Sequence, residues 1–285
     1  MLPEHCLASG LNAVSRAHEG DYFADGHRGA AMISAWFLCR EANLETGAAR
    51  VIAELIAAQW TESALFAPFP QEPAAPEQLG RIEATMAANL GPLRQAGHNV
   101  IFPSLALRAF AEQPELSTPA RVEGICKLIE RFDRADDLAL TEGDERPPFG
   151  FAETMAEFIL TETLATMRAF SGRGQGWSGH MLTHGRAVLD LLRLGRTDLA
   201  QQAWAAFALY VKRTRLGPLD TDRSIPEHAP SDRRPLEASY WEGRRDIDLG
   251  LGHSLKYPYG FYGLMALARD PDLKQQCLRE AYRLF

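Results

Sequence analysis

Four apolar runs of helical length recur along the chain: GHRGAAMISAWFLCR from residue 26, GHNVIFPSLALRAF from 97, GHMLTHGRAVLDLLRLG from 179 and GHSLKYPYGFYGLMALA from 252. Each closes on a short break (EANLETG, EQPELSTP, GRT, RDPD) and a second, amphipathic run follows. The breaks carry the Asn, Thr, Asp and Pro residues that stop one helix and cap the next. The pattern predicts four helix pairs, each led by a Gly-His dipeptide. Sustained alternation of apolar and polar residues is almost absent, which leaves all-α as the fold class. Four such units predict a closed helical bundle or an α/α toroid-like ring, folded as a single domain over residues 1–285.

With 23 glycines and 8 histidines in 285 residues, chance supplies fewer than one Gly-His pair, so four of them point to an internal repeat. His27 to His98 is 71 residues, His98 to His180 is 82 and His180 to His253 is 73, while alternate histidines stand 153 and 155 apart. That near-equality suggests a duplicated block of two units. Pro103 and Pro258 each follow their histidine by five residues. Proline is tolerated in a first helical turn, so in units two and four the Gly-His pair is expected before the helix or at its N-terminus.

Further helices are expected at 3–18, 77–94, 118–133 and 151–170, with a charged loop at 134–150. The run Val100 to Phe110 is apolar around nearly its whole circumference, as in a helix buried on all sides. In the third run His180, His184, Val188 and Leu191 share one face, opposite Arg186, Asp190 and Arg193, which turns the histidine pair inward. The glycine-rich stretch SGRGQGWSGH before it allows close backbone approach and offers a ligand-facing loop containing Trp177. Leu216 to Gly252 is far longer than an ordinary connection and carries Tyr240, Trp241, Asp246 and Asp248, as a lid or site wall would.

Composition narrows the partners. The chain is 46% hydrophobic, enough for a substantial core, and its net charge of −7 gives no basic footprint for nucleic acid. No run approaches the ~20 apolar residues of a membrane span. The N-terminus lacks the pattern of a signal peptide, so a soluble cytoplasmic protein is expected. Cys6, Cys39, Cys126 and Cys277 show no CxxC spacing and read as free buried thiols rather than a zinc ribbon or disulfide framework. GxSxG and Walker A motifs are absent, and GRGQG follows a helix instead of a strand, against a dinucleotide fingerprint.

Equivalent ends of equivalent units carry the histidines. If the ring closes, His27, His98, His180 and His253 meet at one cavity mouth as candidate metal ligands, with His184 one turn deeper. Imidazoles suit transition metals, here iron or zinc. His98, His180 and His184 are the candidate catalytic residues, and Trp177, Tyr240, Trp241 and Tyr257 the candidate substrate contacts. The competing reading makes each Gly-His a helix-start device whose imidazole serves packing. Asp25 and Asp248 are the carboxylates best placed to assist, being two and five residues before a repeat histidine. Glu153, Glu157 and Glu162 lack the paired ExxH motif of a di-iron carboxylate bundle.

The segments GHNVIFPSLALRAF and GHMLTHGRAVLDLL resemble the histidine-led helices of questin oxidase-like proteins, an all-helical family linked to oxidation of aromatic polyketides. The resemblance covers about the central half of the chain. It implies His98 and His180 at a reaction centre and an oxidoreductase, an oxygenase acting on an aromatic or apolar small molecule. A looser architectural likeness to α/α toroids, which include lanthionine cyclases and sugar epimerases or hydrolases, implies a lyase, epimerase or hydrolase with a polar substrate. A non-enzymatic helical scaffold is the third expectation. Each is compatible with a homo-oligomer and with no nucleic-acid or membrane partner.

Overall fold

The structure, a computed structural model, describes residues 2–132 and 138–285. These form α-helices joined by short 3-10 turns, with one isolated bridge between Arg173 and Ile225 and no strand among the described residues. In chain order they are α1 (His5–Arg16), α2 (Tyr22–Glu41), α3 (Ala48–Gln59), α4 (Leu79–Ala88), α5 (His98–Glu112) and α6 (Pro119–Arg131). After them come α7 (Ala152–Ala169), α8 (Gly176–Arg193), α9 (Thr197–Arg215), α10 (Ala238–Glu242), α11 (His253–Leu267) and α12 (Pro271–Glu280). The fold class is all-α. Of the charged loop expected at 134–150, residues 134–137 lie outside the described residues, as does the end of the helix expected at 118–133.

The four histidine-led helices form the centre. α2 packs on α5, α5 on α8, α8 on α11, and α11 returns to α2. The four histidines meet near the N-terminal ends, while Glu41, Arg108, Asp190 and Tyr259 meet toward the other end, so the four helices run the same way. Their apolar composition suits this place. α5 is buried from His98 to Phe110 and α8 from Ser178 to Leu191. The amphipathic helices α1, α4, α6, α7 and α9 pack outside. The expected pairing of each histidine-led helix with its successor holds closely for α8 and α9. By contrast α2 lies mainly on its predecessor α1, and α7 reaches both α8 and α11.

Two kinds of helix start underlie the repeat. Gly97 and Gly252 have φ of +88° and +71° and stand immediately before the helices that begin at His98 and His253. A residue with a Cβ is disfavoured in that left-handed region, which explains the glycine. Gly26 and Gly179 instead lie inside α2 and α8. Pro103 and Pro258 occupy the sixth helical position, past the first turn, so each removes one internal hydrogen bond. The helix expected at 77–94 ends at Ala88, because Pro92 disfavours helical geometry at Gly91.

Of the polar face expected on α8, Arg186 and Asp190 are interior and Arg193 is exposed. Arg186 and Asp190 are 5% and 2% exposed, because residues from α2, α5 and α11 close over them. Arg186 Nε donates to Asp190 at 2.9 Å, and Arg108 and Tyr259 also bond Asp190. Helical periodicity separates two faces but cannot show that both are covered.

Candidate metal centre

Each histidine of the centre is oriented by its own backbone. In α2, His27 Nδ1 lies 2.7 Å from the carbonyl of Phe23, one turn back. In α8, His180 Nδ1 lies 2.7 Å from the carbonyl of Gly176. His98, at the first position of α5, directs Nδ1 to the carbonyl of Gln95. A carbonyl oxygen only accepts, so in all three rings Nδ1 carries the proton and Nε2 presents a lone pair.

The ring nitrogens lie close together. His27 Nε2 and His98 Nε2 are 2.9 Å apart, and the His98 and His180 ring centroids are 4.5 Å apart. Among the described residues, His27, His98 and His180 are the His, Cys, Asp or Glu group whose ligand nitrogens lie within 4.8 Å of one another. Two facing lone pairs at hydrogen-bond distance repel unless a cation or proton lies between them. Burial opposes the proton: it pushes His180 down to about 3 and holds His27 and His98 well below the ordinary imidazole range, with Lys256 and the neighbouring imidazoles adding repulsion. One metal ion could take a ligand nitrogen from all three. Imidazoles whose other nitrogen is tied to a backbone carbonyl are its usual ligands.

The fourth repeat histidine stands beside this group. His253 has its ring centroid 5.2 Å from those of both His27 and His180, and stacks on Tyr257 at 4.7 Å. Among the described residues, His180 Nε2, His253 Nε2, both nitrogens of His184 and Lys256 Nζ are buried without a hydrogen-bond partner. His184 points elsewhere, with its ring 5.2 Å from Phe207 and 6.0 Å from Tyr210. A Cβ on Gly97 would come within 2.2 Å of its Nδ1.

Aromatic rings close the sides. Phe102 and Tyr257, each four residues after a repeat histidine, lie where a Cβ on Gly26 or Gly179 would be, 2.7 and 2.2 Å from the respective rings. Phe23 and Phe132 complete the wall against His98. The Tyr257 hydroxyl is 3.4 Å from His180 Nδ1. Tyr240 lines a cavity of about 240 Å³ that also touches His253, Tyr257, His228 and Arg244, and it belongs to the long 216–252 segment. Trp241 is fully buried, donating to the Pro235 carbonyl at 2.8 Å, and so holds that segment to the core. Trp177 packs between Phe170, Tyr210 and Arg213. Asp25 pairs with Arg28 at 3.1 Å, and Asp248 accepts from the Gly250 amide.

Sequence reasoning missed Lys256. It is 1% exposed, its Nζ is 5.5 Å from the centroid of Phe102, and burial holds its amine well below the ordinary lysine range. The signal was available, since Lys256 is the one charged residue in α11.

Comparison with protein-family models, with curated proteins and with solved structures returns no match. Among the described residues no helix is long and apolar enough to cross a membrane. Fold and site together define an all-helical protein with a buried three-histidine group that could hold a metal ion.

Proposed function

We propose that the protein is a metal-dependent enzyme acting on a small molecule, with His27, His98 and His180 as the ligands. The observation that carries this reading is the fixed tautomer of the three buried rings, with His27 Nε2 and His98 Nε2 2.9 Å apart and ligand nitrogens of all three histidines within 4.8 Å of one another. Three protein ligands with a further position open is the pattern of a catalytic site, whereas four close a structural one. His253 stands beside the three ligands, and the cavity that touches His253 and Tyr257 gives a substrate its approach. Lys256 lies buried near the cluster, and burial holds its amine well below the ordinary lysine range.

Oxidoreductase chemistry is the favoured class. Bound iron would supply redox chemistry, the aromatic wall of Phe23, Phe102 and Phe132 keeps water from the cluster, and the questin oxidase-like resemblance implies the same class. A zinc-dependent lyase, epimerase or hydrolase is the second reading. It is favoured by the approach cavity, where Gln175, His228, Arg244 and Asp248 suit a polar substrate.

Metal analysis of protein purified without a polyhistidine tag, combined with an absorbance scan, tests both. About one iron per chain is expected on the first reading and one zinc on the second. Preparations without bound metal that also fail to take up iron or zinc after dialysis would leave the scaffold reading.

A further inference from the structure

The opposite end of the four central helices holds a second cavity, of about 530 Å³, within the range of small-molecule sites. Asp190 lies ten residues beyond His180 on α8, roughly 15 Å along the helix, so this cavity is separate from the histidine cluster. Its walls are mainly apolar, including Phe37, Leu189 and Leu267. One side is charged. Glu41 accepts from Arg108, from Arg186 Nη2 at 3.0 Å and from Arg193 Nη1 at 3.0 Å, while Asp190 accepts from Arg186 Nε at 2.9 Å. Three guanidinium groups face two carboxylates, which leaves one positive charge without a counterion in the cluster.

The uncommitted donors lie on the cavity side. Arg186 is buried, and its Nη1 takes no hydrogen-bond partner among the described residues. It projects over Gly263 of α11, where a Cβ would come within 1.5 Å of Nη1, and Gly263 itself lines the cavity. Arg193 is 66% exposed in its side chain and uses one Nη for Glu41. At the mouth, Gly150 and Ala152 line the cavity on either side of Phe151, which is 81% exposed.

We infer that this cavity binds an apolar molecule bearing a single carboxylate, with the carboxylate on Arg186 Nη1 and Arg193 and the apolar body along Phe37, Leu189 and Leu267. A planar guanidinium suits a carboxylate, and a partly enclosed apolar wall strengthens the pair. Such a ligand neutralises the excess charge. It also covers the apolar mouth. An alkyl and an aryl carboxylate share this chemistry.

Isothermal titration of the full-length protein with decanoate, with 2-naphthoate and with decanol tests the inference. One saturable site for either carboxylate is expected, at least tenfold tighter than for decanol; decanoate binding favours an alkyl ligand and 2-naphthoate an aromatic one. Arg193→Ala, at an exposed position, should weaken the carboxylate at least tenfold. Ala266→Trp, at the exposed rim, should abolish binding while circular dichroism stays unchanged. Equal affinity for decanoate and decanol, or binding indifferent to both substitutions, would overturn it. So would no saturable binding of either carboxylate.

Discussion

His27 Nε2 and His98 Nε2 lie 2.9 Å apart although 71 residues separate them, and each ring has its other nitrogen engaged by a backbone carbonyl. Neither ring can rotate to donate to the other without giving up that carbonyl. The three-histidine group could therefore hold a cation, with His180 offering a third ligand nitrogen. The fold thus brings histidines that stand 71 and 82 residues apart in the chain into one buried group.

Removing one donor should release the ion without unfolding the chain. His98→Ala and His180→Ala are expected to lower bound metal at least tenfold, to retain helical circular dichroism, and to lose the thermal stabilisation that added metal gives the wild type. Unchanged metal stoichiometry in both variants would place the ion elsewhere.

Acid stability follows from the buried imidazoles. Burial pushes His184 down to about 3, against an ordinary value near 6.5 in the unfolded chain. Between those values the unfolded state binds the extra proton, so stability is full above about pH 6.5 and falls as the pH drops toward 3. His184 contributes a slope of about 1.4 kcal/mol per pH unit in that window. His184→Leu should show a slope smaller by that amount in urea titrations of metal-free protein between pH 6 and pH 4. Parallel slopes would mean that His184 has a partner when folded.

The all-helical class was legible because its signal is periodicity, and the approach of the four histidines because each leads an apolar run of helical length and those four runs form the centre of the fold. What periodicity could not carry was the second covered face of α8. Arg186 and Asp190 read as polar surface, yet Arg108, Glu41 and Tyr259 arrive from three other helices to satisfy them. The difference between His253 and the three clustered histidines was equally hidden, since it depends on the ring stacking on Tyr257. Trp241 looked available to a substrate because aromatic content alone does not distinguish a wall from an anchor.

Gly97 joins two constraints that a double-mutant cycle can separate. Its φ of +88° disfavours any side chain, and a Cβ would lie 2.2 Å from His184 Nδ1. Gly97→Ala is expected to destabilise by roughly 3 kcal/mol, of which about 1–2 kcal/mol is left-handed backbone strain. In a His184→Ala background the cost should fall to about the strain alone, a coupling of at least about 1 kcal/mol. Additive chemical denaturation energies would remove His184 as the clashing neighbour.

Lys256 gives a test with a distinct sign. Its amine is buried beneath the histidine cluster and has no hydrogen-bond partner among the described residues, so folding strips it of water without replacement. Methionine has a similar length and no polar head. Lys256→Met should therefore stabilise the metal-free protein near pH 7. The gain must depend on pH. Burial holds the folded amine well below the unfolded value of 10.5, so between those limits the unfolded wild type binds the extra proton and wild-type stability rises with pH. The advantage of the variant should shrink by about 1.4 kcal/mol per pH unit as the pH rises toward 10.5 and level off above it. Denaturant midpoints for both proteins at pH 7, 8 and 9 measure this. A variant less stable than wild type at every pH would show that the amine is paired in the folded protein, and a constant difference would show that it keeps its charge there.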